Sequence, residues 1–189
     1  MGELKGQVAI VTGSARNIGR SIAERIAAAG AAVVINARQS QAEAELVASE
    51  IVARGGRAIA VVADVTKQDS VEDLIGAAIT SFGRLDILVN NAALRMDAPI
   101  EEIAFNQWRA VLASILDAAF LCSQAALPHL KRNGSGTIVN IGGGCRPYRR
   151  VASGSCCGGQ GGVGRLDTGA RCRGCSIWNN SELHCARTY

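Results

Sequence analysis

No stretch of about eighteen consecutive apolar residues occurs in this sequence, so no membrane-crossing helix and no membrane partner are expected. No secretory leader is expected either. Met1-Gly2-Glu3-Leu4-Lys5-Gly6 runs directly into a strand-like segment, which makes a cytoplasmic location the default. Residues 1–144 also lack any excess of positive charge, carrying 13 basic and 14 acidic side chains. That balance excludes a basic face for nucleic acid. Cysteine is scarce over the same residues, with Cys122 standing alone. Beyond residue 144 these deficits reverse. Residues 145–189 hold six of the 7 cysteines and 7 arginines against 2 acids, with no lysine at all. The formal charge of +4 therefore belongs to the tail. With 189 residues and 48% hydrophobic side chains, the chain suffices for one core. It divides into a body, 1–144, and an atypical Cys/Arg/Gly-rich tail, 145–189.

What the body does contain is a strand-like run, Val8-Ala9-Ile10-Val11, followed by Thr12-Gly13-Ser14-Ala15-Arg16-Asn17-Ile18-Gly19-Arg20. Strand, glycine turn and helix in that order make a phosphate site. Glycines let backbone approach a pyrophosphate, and free N–H groups with the helix dipole stabilise its charge. An amphipathic helix over 21–29, ending at Gly30, supports this reading over a simple turn. The remaining body alternates in the same way. Strands are expected at 31–38, 58–62, 85–89 and 136–141. Helices are expected at 41–53, from a Ser70 cap to Phe82, and at 105–130. Such alternation predicts a parallel sheet covered on both faces, with ligands beyond the carboxyl ends of the strands. The glycine turn, Arg38, Asp64 and the Asn90-Asn91 pair all fall at those ends.

Together these residues resemble a short-chain dehydrogenase/reductase. The likeness covers roughly residues 4–144: the Thr12-Gly13 to Gly19 turn, Asp64-Val65, Leu85 to Ala93, Trp108 to Leu130, and Gly136 to Ile141. It implies a Rossmann-type doubly wound parallel sheet, truncated after its fifth strand, and an oxidoreductase moving hydride between a nicotinamide cofactor and a carbonyl/alcohol substrate. Two positions depart mildly. Asn17 stands where the middle glycine is usual, and asparagine tolerates left-handed backbone. Ala93 replaces the last glycine of Asn-Asn-Ala-Gly. The candidate cofactor residues are Gly13, Ser14, Arg16, Asn17, Ile18, Gly19, Arg38, Asp64, Val65, Asn91 and Ala92. An acid ending the second strand would select NAD. This chain has Asn36-Ala37-Arg38 there and Arg16 in the turn, which favours the 2′-phosphate of NADP over NAD. The alternative is that both arginines simply face solvent. By the resemblance Asp64 would bind the adenine amine with Val65 beside it, its plainer reading being a turn acid. Asn91 and Ala92 would lie along the cofactor, and Asn90 would tie strands together. Homo-oligomers are expected of the family, less so of a truncated form.

The family's catalytic set does not carry over. Ile115 occupies the relay Asn position, Gly143 the Ser position, and no Tyr-x-x-x-Lys follows, since the tail has no lysine. Tyr148 and Tyr189 are unaccompanied. No catalytic residue is assigned. A noncatalytic nucleotide-binding or regulatory protein is the alternative. The tail's composition matches an alanine-rich gene read one base out of frame, because GCx codons then yield Cys, Arg, Gly or Ser. Codons for 160–171 permit Lys-Ala-Gly-Leu-Val-Gly-Leu-Thr-Arg-Ala-Leu-Ala, and those for 177–183 permit Tyr-Gly-Ile-Thr-Val-Asn-Cys, both strings resembling this family. Read literally, Cys172, Cys175, His184 and Cys185 offer four soft ligands, but adjacent His184 and Cys185 make tetrahedral zinc awkward, so no metal is assigned.

Overall fold

A strand that carries apolar residues on both faces needs cover on both. β1 (Val8–Val11) and β2 (Ala32–Ala37) are buried throughout their lengths. With β3 (Arg57–Val62), β4 (Ile87–Asn90) and β5 (Thr137–Asn140) they form one parallel sheet in the order β3-β2-β1-β4-β5. The computed structural model describes residues 2–96 and 98–142. Gly143, Tyr148, Tyr189 and the cysteine-rich tail, including its literal zinc set, lie outside the described residues.

Register aligns the side chains into two layers. Ile59, Val34, Ile10, Leu88 and Ile138 stand level across the five strands. Their face packs on α3 (Gln68–Phe82) and α5 (Ala118–Arg132) through Leu74, Ala78, Cys122 and Ala126. The opposite face, with Val11, Val33, Ile35 and Val89, packs on α1 (Asn17–Ala28) and α2 (Gln41–Ala53) through Ala23, Val47 and Ile51. This is the doubly wound arrangement expected. Burial pushes the Cys122 thiol up to about 12, which makes it a core filler and not a nucleophile.

Three expectations are corrected. Helix α3 begins at Gln68, so Ser70 lies inside its first turn and caps nothing; the Asp64–Thr66 turn delivers the chain straight into the helix. The helix expected over 105–130 is α4 (Phe105–Leu112), a π-helical turn at Ala113–Asp117, and α5. Finally, the continuous helical run Phe105–Arg132 is long and apolar enough to cross a membrane by length and composition alone. Interspersed polar residues hid this from a search for an unbroken apolar run. Its stripe Val111, Ala118, Cys122, Ala126 and Leu130 is buried, and most of the rest of the apolar run is not.

Candidate functional site

Where β1 ends, the chain must leave the sheet between β2 and β4, since β1 pairs with both. This is the switch point of a doubly wound sheet, where ligands bind. Gly13 turns the chain with φ of 62°. A side chain there would press on Ala92, whose Cα lies 3.0 Å from an ideal Cβ. Asn17 has φ of 52°, the one non-glycine left-handed residue among those described, matching the tolerance expected of asparagine. Gly19 has no room for a side chain: a Cβ would collide with the Asn91 amide and come within 2.5 Å of the Gly13 carbonyl oxygen. Thus the turn and the end of β4 are in backbone contact.

Hydrogen bonds lock that contact. The Thr12 hydroxyl accepts the N–H groups of Asn91 (2.9 Å) and Ala92 (3.0 Å) and donates to the Val89 carbonyl at 3.3 Å. The Asn91 amide donates to the carbonyls of Thr12 (2.9 Å) and Gly13 (3.1 Å). Ser14 is fully buried; its hydroxyl donates to the Val11 carbonyl at 2.6 Å and accepts the Asn36 N–H at 3.0 Å. Gly13, Ser14 and Asn91 therefore build the turn. Arg16, Asn17 and Ile18 are exposed on it. Helix α1 starts there with no side-chain cap and no acid in its first turn, so its leading N–H groups and positive dipole end are open to an anion.

At the neighbouring strand ends, Ala37 is buried and Arg38 exposed, with no acid closing β2. Neither Arg16 nor Arg38 forms an ion pair among the described residues. Asp64 follows β3 as a turn acid: its Oδ1 accepts both the N–H (3.1 Å) and the hydroxyl (2.7 Å) of Thr66. Burial opposes its charge, but the Thr66 hydroxyl and N–H, then Arg38 and Lys67, outweigh that and hold the carboxyl below its ordinary value. Oδ2 takes no hydrogen bond among the described residues. Val65 beside it is buried in the core.

At the end of β4, Asn90 ties strands as expected. Its Nδ2 donates to Asn140 Oδ1 on β5 at 2.8 Å and to Ser123 Oγ on α5 at 3.2 Å. The following segment is pinned by Ser114, which accepts the Leu94 N–H and donates to the Val111 carbonyl, both at 2.9 Å. Ser114 lies in the π-helical turn beside Ile115, the residue at the relay position. Ile115 offers no donor or acceptor in its side chain. Both tyrosines of the chain lie outside the described residues. The described site offers open N–H groups and a positive helix end to an anion, and no tyrosine stands among the described residues to move a proton. Sequence reasoning missed Thr12, Asn36, Thr66 and Ser114 as parts of this site. The legible signal for Asn36 was an amide inside an otherwise apolar strand run.

A sequence profile for short chain dehydrogenases matches residues 7–151. The chain is 42% identical over 141 residues to a 3-oxoacyl-[acyl-carrier-protein] reductase of Synechocystis sp., covering 75% of this chain and 57% of that one. It is 44% identical over 141 residues to an uncharacterised oxidoreductase of Methylorubrum extorquens, covering 75% and 56%. Among solved structures, a 7α-hydroxysteroid dehydrogenase complexed with NADH and 7-oxo glycochenodeoxycholic acid superposes with a TM-score of 0.81 at 31% identity, covering 86% of this chain and 63% of that one. The chain spans just over half the length of the curated relatives it matches.

Proposed function

The chain belongs to the short-chain dehydrogenase/reductase family, and we propose that its body binds a nicotinamide dinucleotide, NADP in preference to NAD, in a framework for hydride transfer with a carbonyl/alcohol substrate. The observation that carries this reading is the uncapped start of α1 beside Gly13 and Gly19, flanked by Arg16 and Arg38 with no acid ending β2. The N-terminal turn of α1 would hold the pyrophosphate and Arg38, with Arg16, the 2′-phosphate. Asp64 would accept from the adenine amine through Oδ2, with Val65 lining that end. Asn91 and Ala92 would border the nicotinamide half. The bound nicotinamide would supply the hydride. The 3-oxoacyl reductases among the relatives suggest a 3-oxo substrate, although the steroid dehydrogenase binds NADH.

Turnover by this chain is expected to be slight. Ile115 replaces a polar relay residue, and no tyrosine–lysine pair at four-residue spacing exists in the sequence. The tail's composition favours a reading-frame change near residue 144, and resequencing the codons for 141–150 decides it. The functional test is a fluorescence titration with NADPH and NADH, then NADPH oxidation with an acetoacetyl thioester. Tighter NADPH binding by about tenfold, one charge-assisted contact's worth, and loss of that preference in Arg38→Ala are the expected results. Robust NADPH oxidation overturns the impaired reading, and tighter NADH binding overturns the cofactor assignment. Binding without turnover is equally the behaviour of a nucleotide-binding regulator, for which the missing catalytic side chains are the specific support.

A further inference from the structure

We infer that Asn36 is a positioning residue of the dinucleotide site, presetting the glycine turn by taking up the N–H groups that would otherwise compete for the ligand. This rests on the dinucleotide reading above. Asn36 is 1% exposed near the end of β2, in a strand whose other residues are apolar. A buried amide is costly without partners. Here Oδ1 accepts the Gly13 N–H at 3.1 Å. Nδ2 lies within reach of three carbonyls, Ala63 at 3.1 Å, Val61 at 3.3 Å and Ala37 at 3.4 Å. One side chain thus joins the end of β1 to the ends of β2 and β3.

Its backbone continues the same task. The β1–β2 ladder ends at the Val11–Ile35 pair, so Asn36 is the first β2 residue past it. There Ser14 substitutes for the missing strand partner: its N–H donates to the Asn36 carbonyl at 2.8 Å, and its hydroxyl accepts the Asn36 N–H. Gly13 and Ser14 are consequently held in place with their N–H groups already satisfied. The donors left for a phosphate are those after them, at the start of α1. Asn36 fixes where the anion sits without touching it.

The chemistry distinguishes an amide from a carboxylate at this position. An aspartate would still accept from Gly13. Its second oxygen, however, would face the carbonyls of Ala63 and Val61 where an N–H now donates, placing acceptor against acceptor. The 2′-phosphate preference would remain with Arg38, since Asn36 acts on the turn shared by both cofactors. Loss of Asn36 should therefore weaken NADPH and NADH alike, whereas loss of Arg38 should weaken NADPH alone.

The experiment uses the full chain and its Asn36→Asp and Asn36→Ala variants, titrated with NADPH and NADH well below each variant's melting temperature. Gly13 amide hydrogen exchange is measured in the same samples. The expected result is about tenfold weaker binding of both nucleotides, roughly one buried hydrogen bond's worth, with faster Gly13 exchange in Asn36→Ala. Faster Gly13 exchange with unchanged affinity overturns the positioning role and leaves the dinucleotide reading standing. Selective loss of NADPH binding overturns it too. No binding of either nucleotide by the unaltered chain overturns both readings. Should neither variant fold, Gly13 exchange in the unaltered chain decides: protection supports the role, and exchange as fast as the exposed Arg16 amide overturns it.

Discussion

At Asp64 burial and hydrogen bonding act in opposite directions, and the hydrogen bonds from Thr66 prevail. A carboxyl held below its usual value of 3.8 contributes stability that is full above that pH and is lost as pH falls through the lowered value. Asp64→Asn should therefore lower the urea midpoint by a constant amount at neutral pH, and the gap to the unaltered chain should close below pH 3.8. A gap unchanged at pH 3 would mean that the charge adds nothing to the turn. The sequence motif placed Asp64 at the end of β3 beside Arg38, yet its bond to Thr66 came only with the turn's geometry. The same holds for Asn36. Its position and type were visible, but its partners at the ends of β1 and β3 lie 23 to 27 residues away from it in sequence. Asn17 was more legible, because left-handed tolerance is a property of the residue itself.

Elements were easier to read than their joints. Apolar runs and glycine punctuation located all five strands and the helices between the first four of them, since burial on both faces leaves a signal in local sequence, but not the short helical turn Ile100–Glu102. The π-helical turn left none, for Ala113–Asp117 reads as ordinary helix. Nor did the fixing of β4 at its other end. Asp86, just before that strand, is buried and accepts the Val8 N–H at 2.9 Å, two bonds from Arg84 at 2.8 and 2.6 Å, and the Asn133 amide at 3.2 Å. It couples β1, β4 and the end of α5 opposite the ligand side. Asp86→Ala strands the Val8 N–H in the core and should cost about 2 kcal/mol in urea unfolding, mostly as an unsatisfied buried donor. Arg84 is half exposed, so Arg84→Ala should cost well under half as much. Equal losses would show that the ion pair, not the buried backbone contact, carries the joint.

Across the whole molecule, the two faces of the helical run Phe105–Arg132 differ. One packs on the sheet; the other exposes Phe105 at 77% and Phe120 at 54%. Ile100 at 70% and Val139 at 39%, the latter on edge strand β5, add to the uncovered apolar surface among the described residues. Water penalises such surface, and covering a single phenyl ring contributes about 2 kcal/mol. Self-association should thus set in at low concentration, and it should depend on these rings and not on the ligand site at the ends of β1 and β2, where Arg16 and Arg38 face water. The double variant Phe105→Ser/Phe120→Ser should raise the concentration at which light scattering begins by about tenfold, a conservative fraction of two rings' worth. Because neither ring belongs to either buried cluster, far-UV circular dichroism and NADPH affinity should be unchanged. Scattering that persists in the double variant would move the cause to β5, the edge strand among the described residues, where backbone groups can recruit another strand. Loss of NADPH binding in that variant would instead show that the long helix and the glycine turn are coupled through the sheet they share.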